Sequence, residues 1–525
     1  MIAVVYGVRL GQTFQDRLTA VGGDSDAINP LFIAATMDEV PDADIHMGTF
    51  GAYVTVWYAR ATEWLPFDRE VWEAMPPILW IASLGLVVWA AWRSVGRWSA
   101  VLTGVLGFCV SAYVLFMLFT SSYHTWTLYS SAIAVGLLVF LTTQTAMNPR
   151  VWIVALAGTF VLGGALASDR LVLLSAIAPL VLAGAGVAIR HPTRQGRMVG
   201  LGAGAAAVGA IAIAAGVTQI MKASGFVTTP RSEGWIDAHL FFSQAAGFLE
   251  ETLWMFNGHF LGRALSVEST LSFAIAVGVL VALIAPFIVL RRRQEGPQTT
   301  GTPRELGRSA YVFFWAATMA IIPLVAIASD QNVVGGARYI LPVVFAAAAT
   351  VPLLGRSVSA RYLIIAGVSI YALLGALNLD LRGKDGDLQA DAGRVAVQAN
   401  ELISIARQEQ AYVGYAGYWD AAASSWSSKL QVQVFPVEHF CETADGVPCP
   451  YSFNVHAGWY VPRDDIRTFL IGPRPEDADS YEPPPSLGPP ISTHRLLTGA
   501  HLYVYPYDIA ARFPPVRFID DPEEF

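Results

Sequence analysis

Long apolar runs separated by short polar loops are the feature that most constrains this chain of 525 residues. A helix needs about 20 apolar residues to cross the hydrocarbon core of a bilayer, and each run is roughly that long. The predicted spans are 76–93, 99–119, 127–145, 151–167, 171–189, 199–221, 270–290, 309–329, 339–355 and 361–378. Only 14% of the residues are charged and the mean hydropathy is +0.47, which excludes an ordinary soluble enzyme. The sequence predicts an integral membrane protein built as an all-α bundle.

The beginning of the chain allows two interpretations. Met1–Val8 is apolar but ends at Arg9, which leaves too few residues for a span. Either a short first helix continues through Leu18, or an apolar start lies upstream. Counting this helix, we expect about 11 transmembrane helices. The basic start and small-residue cleavage site of a secretory signal are absent, so no signal peptide is predicted.

Lysine and arginine are distributed unevenly between alternate loops. The basic loops hold Arg93, Arg97, Arg150, Arg190, Arg194, Arg197, Arg291, Arg292, Arg293, Arg304, Arg308, Arg356 and Arg361. By the positive-inside rule these loops face the cytoplasm. The first loop at 20–75, the loop at 222–269 and everything after Asn378 are then expected outside.

The composition changes after the last span. Residues 388–408 have helical apolar spacing, 411–414 and 431–437 are predicted as strands, and 420–430 as a helix between them. We therefore divide the chain into a transmembrane domain at 1–378 and an extracytoplasmic α/β domain at 379–525. Cys441 and Cys449 fall in the second domain, where their spacing and an oxidising compartment favour a disulfide over two free thiols.

Two carboxylates open the polar part of the first loop. Asp24 and Asp26 follow a glycine pair in Gly22-Gly23-Asp24-Ser25-Asp26, and side chains two residues apart in an extended segment project on one side. They could jointly face an acceptor or a metal ion. The alternative is a helix N-cap before 27–37, since Asp and Ser are common caps.

A second candidate lies in a very short loop. Asp169 and Arg170 stand between two apolar runs, at the membrane boundary, where an ionisable pair is costly and marks a functional candidate. Arg170 could bind a phosphate and Asp169 could orient it or hold a divalent cation such as Mg²⁺ or Mn²⁺. A mutual salt bridge that closes the turn is the alternative.

Other phosphate-binding candidates are His124, Arg338 and Tyr339, each next to the expected outer end of a span. The alternatives are an aromatic belt around His124 and a snorkelling Arg338. The loop at 222–269 mixes aromatic and charged residues, as expected of a segment lying on the membrane near a lipid-linked substrate or of a plain surface helix. The sequence contains no Gly-Lys-Ser/Thr phosphate loop, His-Glu-x-x-His helix or Gly-x-Ser-x-Gly elbow, which argues against ATP hydrolysis, zinc proteolysis and hydrolase chemistry.

The order of these features resembles the GT-C superfamily of membrane glycosyltransferases, which use polyprenyl-phosphate-linked sugars. The resemblance rests on Gly22–Asp26, the turn Ser168-Asp169-Arg170, the segment Ala337-Arg338-Tyr339-Ile340-Leu341-Pro342 and the terminal domain. The segment Gly417-Tyr418-Trp419-Asp420, with the two cysteines, is similar to actinobacterial membrane proteins. The short first helix departs from the GT-C pattern.

This resemblance implies a mechanism and a set of partners. Asp24 or Asp26 would act as general base on an acceptor hydroxyl, which displaces polyprenyl phosphate with inversion. Arg170, Arg338 and His124 would stabilise the leaving phosphate, with a divalent cation on Asp169 as an option. The donor would be a polyprenyl-phosphate-linked sugar, the acceptor a glycan, lipid or protein of the bacterial envelope, and nucleic acid would not bind.

Two other functions compete with sugar transfer. A transporter or flippase of lipid-linked glycans would need charged residues buried at mid-membrane, whereas most ionisable residues lie at loop boundaries. A non-catalytic scaffold for envelope assembly would use only the outer domain. The transferase requires the first-loop carboxylates and a basic group of the 168–170 turn to converge in one outward cavity.

Overall fold

The computed structural model describes residues 1–36, 44–47, 69–120, 125–144, 148–228, 234–294, 302–329, 337–355, 357–384, 386–441, 446–452, 455–474 and 481–516. The α-helices up to the last span are α1 (Ile2–Val21), α2 (Ser25–Thr36), α3 (Arg69–Ser94), α4 (Arg97–Phe108), α5 (Ala112–Leu118), α6 (Thr125–Thr142), α7 (Pro149–Ser168), α8 (Ala178–Arg190), α9 (Arg194–Ala223), α10 (Phe241–Met255), α11 (Val267–Gln294), α12 (Pro303–Ala328), α13 (Pro342–Thr350) and α14 (Val358–Leu377). Two helices follow, α15 (Leu388–Glu409) and α16 (Tyr418–Ser427). The strands are β1 (Ile45–Met47), β2 (Phe226–Thr228), β3 (Val413–Ala416), β4 (Gln433–Glu438), β5 (Cys449–Pro450), β6 (Val455–His456), β7 (Thr468–Ile471), β8 (Ser492–Arg495) and β9 (His501–Tyr505).

Within the described residues, eight helices are long and apolar enough to cross a membrane. They are Trp72–Ser94, Thr125–Thr142, Pro149–Ser168, Leu173–Arg190, Arg194–Ala223, Val267–Arg291, Pro303–Ala328 and Val358–Asp380. The predicted membrane bundle is therefore confirmed, whereas the count of 11 is not. Helix α1 carries Arg9, Asp16 and Arg17, and the apolar helix Pro342–Leu354 is short for a span.

The predicted span at 99–119 is instead a pair of helices, α4 and α5, bent by 84°. The break at Cys109–Ser111 is held from two sides: the Tyr6 hydroxyl donates to the carbonyl of Val110 at 2.8 Å, and the Ser111 hydroxyl accepts from the Val114 amide at 3.2 Å. Such a break is tolerated in a membrane bundle when other groups satisfy the freed backbone. Counting this pair as one span gives up to nine for the described chain.

The basic loops meet at one end of the bundle. The Arg304 guanidinium donates to the carbonyl of Val95 at 3.2 Å, and Gln195 donates to the carbonyl of Thr142 at 2.8 Å. The Arg361 guanidinium lies 5.9 Å from the centre of the Trp98 ring. These contacts join segments that the charge distribution assigned to a single side of the membrane, so the structure agrees with that grouping.

The opposite end, which we call the domain end, carries a three-stranded sheet. Strand β1 of the first loop pairs in parallel with β2, which follows α9, and antiparallel with β6 of the C-terminal part. Three segments far apart in sequence thus share one small sheet. All three belong to the set that the loop charges place together outside.

The C-terminal part is a mixed α/β unit with a six-stranded sheet of order β5-β4-β3-β7-β9-β8. Strand β3 pairs in parallel with β4 and β7, and helix α16 connects β3 to β4. The predicted helices and strands of this region are found within a few residues of their expected positions. Cys441 and Cys449 form the predicted disulfide, with Cα atoms 5.9 Å apart, and Cys109 is buried and reduced.

Aromatic side chains join this unit to the bundle. The rings of Phe32, Phe435 and Trp459 stack with centroids 5.0–6.0 Å apart, and Trp459 donates its indole N–H to the Thr36 hydroxyl at 2.9 Å. The indole N–H of Trp426 donates to the Glu73 carboxylate at 2.7 Å. Buried apolar area with satisfied polar ends gives a stable contact, so α2 is held against the C-terminal sheet.

Candidate active site

Asp24 lies at the domain end, between α1 and α2. Helix α1 ends at Val21, and the amide of Asp24 donates to the carbonyl of Val21 at 2.9 Å. At Gly23 an added Cβ would lie 2.5 Å from Cγ2 of Val395 on α15, so only glycine fits this approach. The Asp24 side chain is 14% exposed and its Oδ2 is 4.0 Å from Nη2 of Arg382.

Arg382 is held by two carboxylates. Besides Asp24 it contacts Asp391 of α15, with Nη1 2.6 Å from Oδ2, and its guanidinium lies 5.3 Å from the centre of the Phe116 ring. Asp391 also pairs with Arg394. A guanidinium fixed by two anions and an aromatic face has little rotamer freedom, so its charge stays directed at the Asp24 turn.

Helix α1 anchors the segment that carries Arg382. The buried Arg17 guanidinium donates to the carbonyl of Leu379, and Arg9 contacts the carboxylate of Asp380 at 2.5 Å. These contacts fix the 3-10 turn Asn378–Asp380, which ends the last span. Arg382, which follows this turn, is thereby brought to the first loop.

A second basic group surrounds the buried carboxylate of Glu251. The Lys384 ammonium is 2.6 Å from Oε1, and the Tyr113 hydroxyl donates to Oε2 at 2.8 Å. Glu251 is only 1% exposed, so both of its oxygens need such partners to offset desolvation. Lys384 also lies 4.9 Å from the Tyr113 ring centre and 5.8 Å from that of Trp254.

The wall of this group comes from the loop after α10. His259 stacks on Trp254 with centroids 4.0 Å apart, and the Arg263 guanidinium lies 5.4 Å from the same indole. The cavity among these side chains and Lys384 has a volume of about 20 Å³, room for about one water molecule. The close pair of Lys384 and Glu251 therefore fixes the geometry of the group.

Arg338 and Tyr339 lie next to this cluster. They belong to the 3-10 turn Ala337–Ile340, which packs against α10. The Arg338 guanidinium is 5.3 Å from the Tyr339 ring centre and donates to its hydroxyl at 3.4 Å, and its charge also acts on Tyr113. Arg338 and Tyr339, which were predicted from the sequence, therefore lie near the group formed by Glu251, Lys384 and Tyr113.

The Asp169 side chain accepts a hydrogen bond from the backbone of its own turn. Asp169 is 2% exposed, and its Oδ1 accepts from the amide of Leu171 at 2.9 Å. The side chain of Arg170 is exposed. Helix α7 carries this turn to the domain end, but the expected convergence of Arg170 with Asp24 stays a prediction.

Two predicted site residues lie outside what the structure describes. His124 is not among the described residues, and Asp26 is described only for its backbone within α2. For a divalent cation, the described part of the chain groups no three His, Cys, Asp or Glu side chains with the spacing of a metal site. Asp169 stays a predicted ligand of a divalent cation.

Burial removes His439 from the possible cations. This residue follows β4, its ring lies 5.3 Å from that of Tyr481, and burial lowers its pKa to about 4. A histidine with so low a pKa is neutral near pH 7 and offers no positive charge to a phosphate.

Comparisons with known proteins identify the fold. No known family profile and no curated protein matches the sequence. ArnT from Cupriavidus metallidurans in the apo state matches with 12% identity and a TM-score of 0.53, covering 97% of this chain and 98% of that one. Its complex with undecaprenyl phosphate gives 12% identity, a TM-score of 0.50, and coverage of 95% and 97%. The chain has the GT-C fold.

A third structure is more distant. The oligosaccharyltransferase of Archaeoglobus fulgidus, in complex with Zn and sulfate, has 12% identity and a TM-score of 0.47, and the match covers 83% of this chain and 62% of that one. The predicted GT-C resemblance is thus confirmed for the fold through ArnT, over nearly the whole chain. Sequence identity this low assigns no residue role, so the GT-C site residues remain to be proposed.

Proposed function

We propose that this chain transfers a sugar from a polyprenyl-phosphate donor to a hydroxyl group of an acceptor outside the membrane. The observation that carries the proposal is the placement of Asp24 beside Arg382, with the Lys384 and Arg338 groups at the same end of a GT-C fold. One ArnT structure of this fold holds undecaprenyl phosphate, which supports a lipid-linked donor. The active site is then at the domain end.

Asp24 is the proposed general base, with Asp26 as the alternative. The carboxylate takes the proton of the acceptor hydroxyl while the hydroxyl oxygen forms a bond to the anomeric carbon. The bond between that carbon and the phosphate oxygen breaks, polyprenyl phosphate leaves with the electron pair, and the anomeric configuration inverts. General bases of this kind contribute about 10²–10⁴ in rate.

The basic residues stabilise the leaving group. The donor phosphodiester carries one negative charge, and the departing phosphate monoester gains a second, so fixed cations bind the transition state more strongly than the substrate. Arg382, beside Asp24, and Arg338, beside the Glu251 and Lys384 group, are the proposed phosphate ligands, and Arg170 and His124 remain candidates. Lys384, which is paired with Glu251, holds the neighbouring side chains in position and does not bind the phosphate in this proposal.

Substitution of the first-loop carboxylates tests the proposal. The full-length protein in lipid nanodiscs is given polyprenyl-phosphate sugars and envelope glycans, and labelled glycan product is measured. We expect Asp24→Asn to lose about a hundredfold or more in rate. Asp464→Asn, which neutralises an exposed carboxylate of the C-terminal domain, is the matched control and should keep full activity.

Two further measurements separate the competing functions. If Asp26→Asn abolishes product and Asp24→Asn does not, the base is Asp26. If the wild type in sealed proteoliposomes moves lipid-linked glycan from one leaflet to the other without sugar transfer, it is a flippase and the proposal is wrong. Loss of product on chelation with EDTA, restored by Mg²⁺ or Mn²⁺ and weakened in Asp169→Asn, would support the predicted cation.

A further inference from the structure

We propose that the C-terminal domain binds a neutral carbohydrate chain in a groove that begins beside Gly23. The groove runs between α15, α16 and the ends of strands β7 and β8. Its polar and aromatic lining includes Gln398, Glu401, Trp419, Asp420, Arg474 and Thr498. The part beside Gly23 has a volume of about 80 Å³, and a more open part continues along α15 past Arg394. This shape suits a chain that enters from solvent.

Trp419 gives the groove a stacking surface. It lies in the first turn of α16 and is 63% exposed, although most tryptophans of folded domains are largely buried. A sugar ring has one face of C–H groups. These groups pack against the face of an indole in the same way as the C–H edge of a second aromatic ring does. An exposed indole alone does not indicate a sugar site, whereas an indole surrounded by fixed polar groups does.

Those polar groups are held in place by one another. Nη2 of Arg474 is 2.5 Å from Oδ1 of Asp420, and both oxygens of Glu401 accept from the amide of Leu497, at 3.1 and 3.0 Å. Guanidinium, carboxylate and amide groups each present paired hydrogen-bonding atoms, which match the adjacent hydroxyls of a sugar. Fixed groups of this kind bind without a large ordering cost.

The balance of charge selects the kind of ligand. Arg474 is paired with Asp420, and Arg394 on the open part is paired with Asp391. Each cation of the groove thus already has an anion within contact distance. A phosphate or an acidic polymer would have to displace these carboxylates, whereas a neutral glycan uses the pairs as they stand.

The position of the groove connects it to Asp24. Gly23 lines its inner end, and the Ser427 hydroxyl of α16 donates to the carbonyl of Gly22 at 3.1 Å. The inner end of the groove is thus formed by the residue that precedes the proposed base in the sequence. The role of this glycan as acceptor rests on the proposed function, but its binding does not.

Binding to an array of neutral pentose and hexose oligosaccharides tests the inference, with full-length protein in nanodiscs and inorganic phosphate as competitor. Trp419→Ala and Gln398→Ala alter the groove. Tyr412→Ala is the control, because Tyr412 is a 48% exposed aromatic residue of the same domain outside the groove. We expect the wild type and Tyr412→Ala to bind equally, and Trp419→Ala to bind about tenfold more weakly.

Three results would overturn the inference: no oligosaccharide binds, both groove variants bind as the wild type does, or phosphate displaces the glycan. If Trp419→Ala unfolds, Gln398→Ala alone decides. Hydrolysis of the donor by water distinguishes the two proposals. A wild type that hydrolyses the donor but binds no glycan overturns only the groove, and one that binds glycan without turning over any donor overturns only the proposed function.

Discussion

Arg382 is the residue on which the geometry of the site depends most. It contacts Asp24 of the first loop and Asp391 of α15, and it packs on Phe116 of the broken helix. One guanidinium therefore ties together three segments that are remote in sequence. Its removal should affect the position of Asp24 as well as the charge beside it.

For Arg382→Gln we predict both a loss of stability and a loss of activity. Two mostly buried carboxylates lose their shared cation, which costs about 1–3 kcal/mol in unfolding free energy. Thermal unfolding in detergent and the rate of sugar transfer measure the two effects. Arg394→Gln is the matched control for stability, since Arg394 contacts the same Asp391 but is 63% exposed, and it should change the unfolding free energy little. Equal effects of the two variants would contradict a special role for Arg382.

At this scale the sequence indicated some residues of the site and missed others. Asp24 and Arg338 stand out as ionisable residues at span ends, whereas Glu251 is one of several charged residues in the loop at 222–269 and was not singled out. Arg382 and Lys384 were not predicted, although a signal existed: two basic residues directly follow the last span on the side that the positive-inside rule leaves poor in them. Their carboxylate partners come from other segments, which a single sequence does not pair.

Among the elements, the helices and sheet of the C-terminal domain were predictable and the contacts between domains were not. Periodicity predicted α15 and α16 because each buries one face along a regular pattern. No proline or charged residue at Cys109–Ser111 predicts the break in the helix. The break is stabilised by a hydrogen bond from the distant Tyr6. Strands β1, β2 and β6, of two or three residues each, pair only through tertiary contact.

The contact between α16 and α3 should control how firmly the domain is attached. Trp426→Phe keeps an aromatic ring but removes the indole N–H that donates to Glu73 at 2.7 Å. Because Glu73 is 6% exposed, the loss of this donor should lower the free energy of unfolding by about 1–3 kcal/mol. We predict a lower melting temperature and faster proteolysis between the domains. Glu73→Gln combined with Trp426→Phe should recover part of the loss, because a neutral amide is cheaper to bury.

The control for this contact lies on the same helix. Trp419→Phe changes an exposed indole of α16. It should leave the free energy of unfolding within about 0.5 kcal/mol of the wild-type value. If Trp426→Phe were as stable as Trp419→Phe, the bond to Glu73 would not hold the domain in place.

In the whole molecule, one end gathers basic loops and the other gathers the first loop, the segment after α9 and the C-terminal domain. This separation follows from electrostatics that act during membrane insertion, which is why loop composition alone could group the segments. The depth of the groove beside Gly23 and the meeting of Asp24 with Arg382 follow from packing across hundreds of residues. A single sequence does not show which distant residues pack together.

The orientation of the molecule is therefore the broadest prediction. The chain has a buried thiol, Cys109, and a disulfide, so a single introduced cysteine is the only thiol expected to react with a membrane-impermeant maleimide in intact cells. Leu497→Cys, 67% exposed on the C-terminal domain, should be labelled without permeabilisation, because the loop charges predict that the domain end faces outward. Arg194→Cys, exposed at the start of α9 next to a basic loop, should be labelled only after permeabilisation. The reverse pattern would place Asp24 in the cytoplasm, where a lipid-linked donor is no longer required, and would contradict both the topology and the proposed transfer.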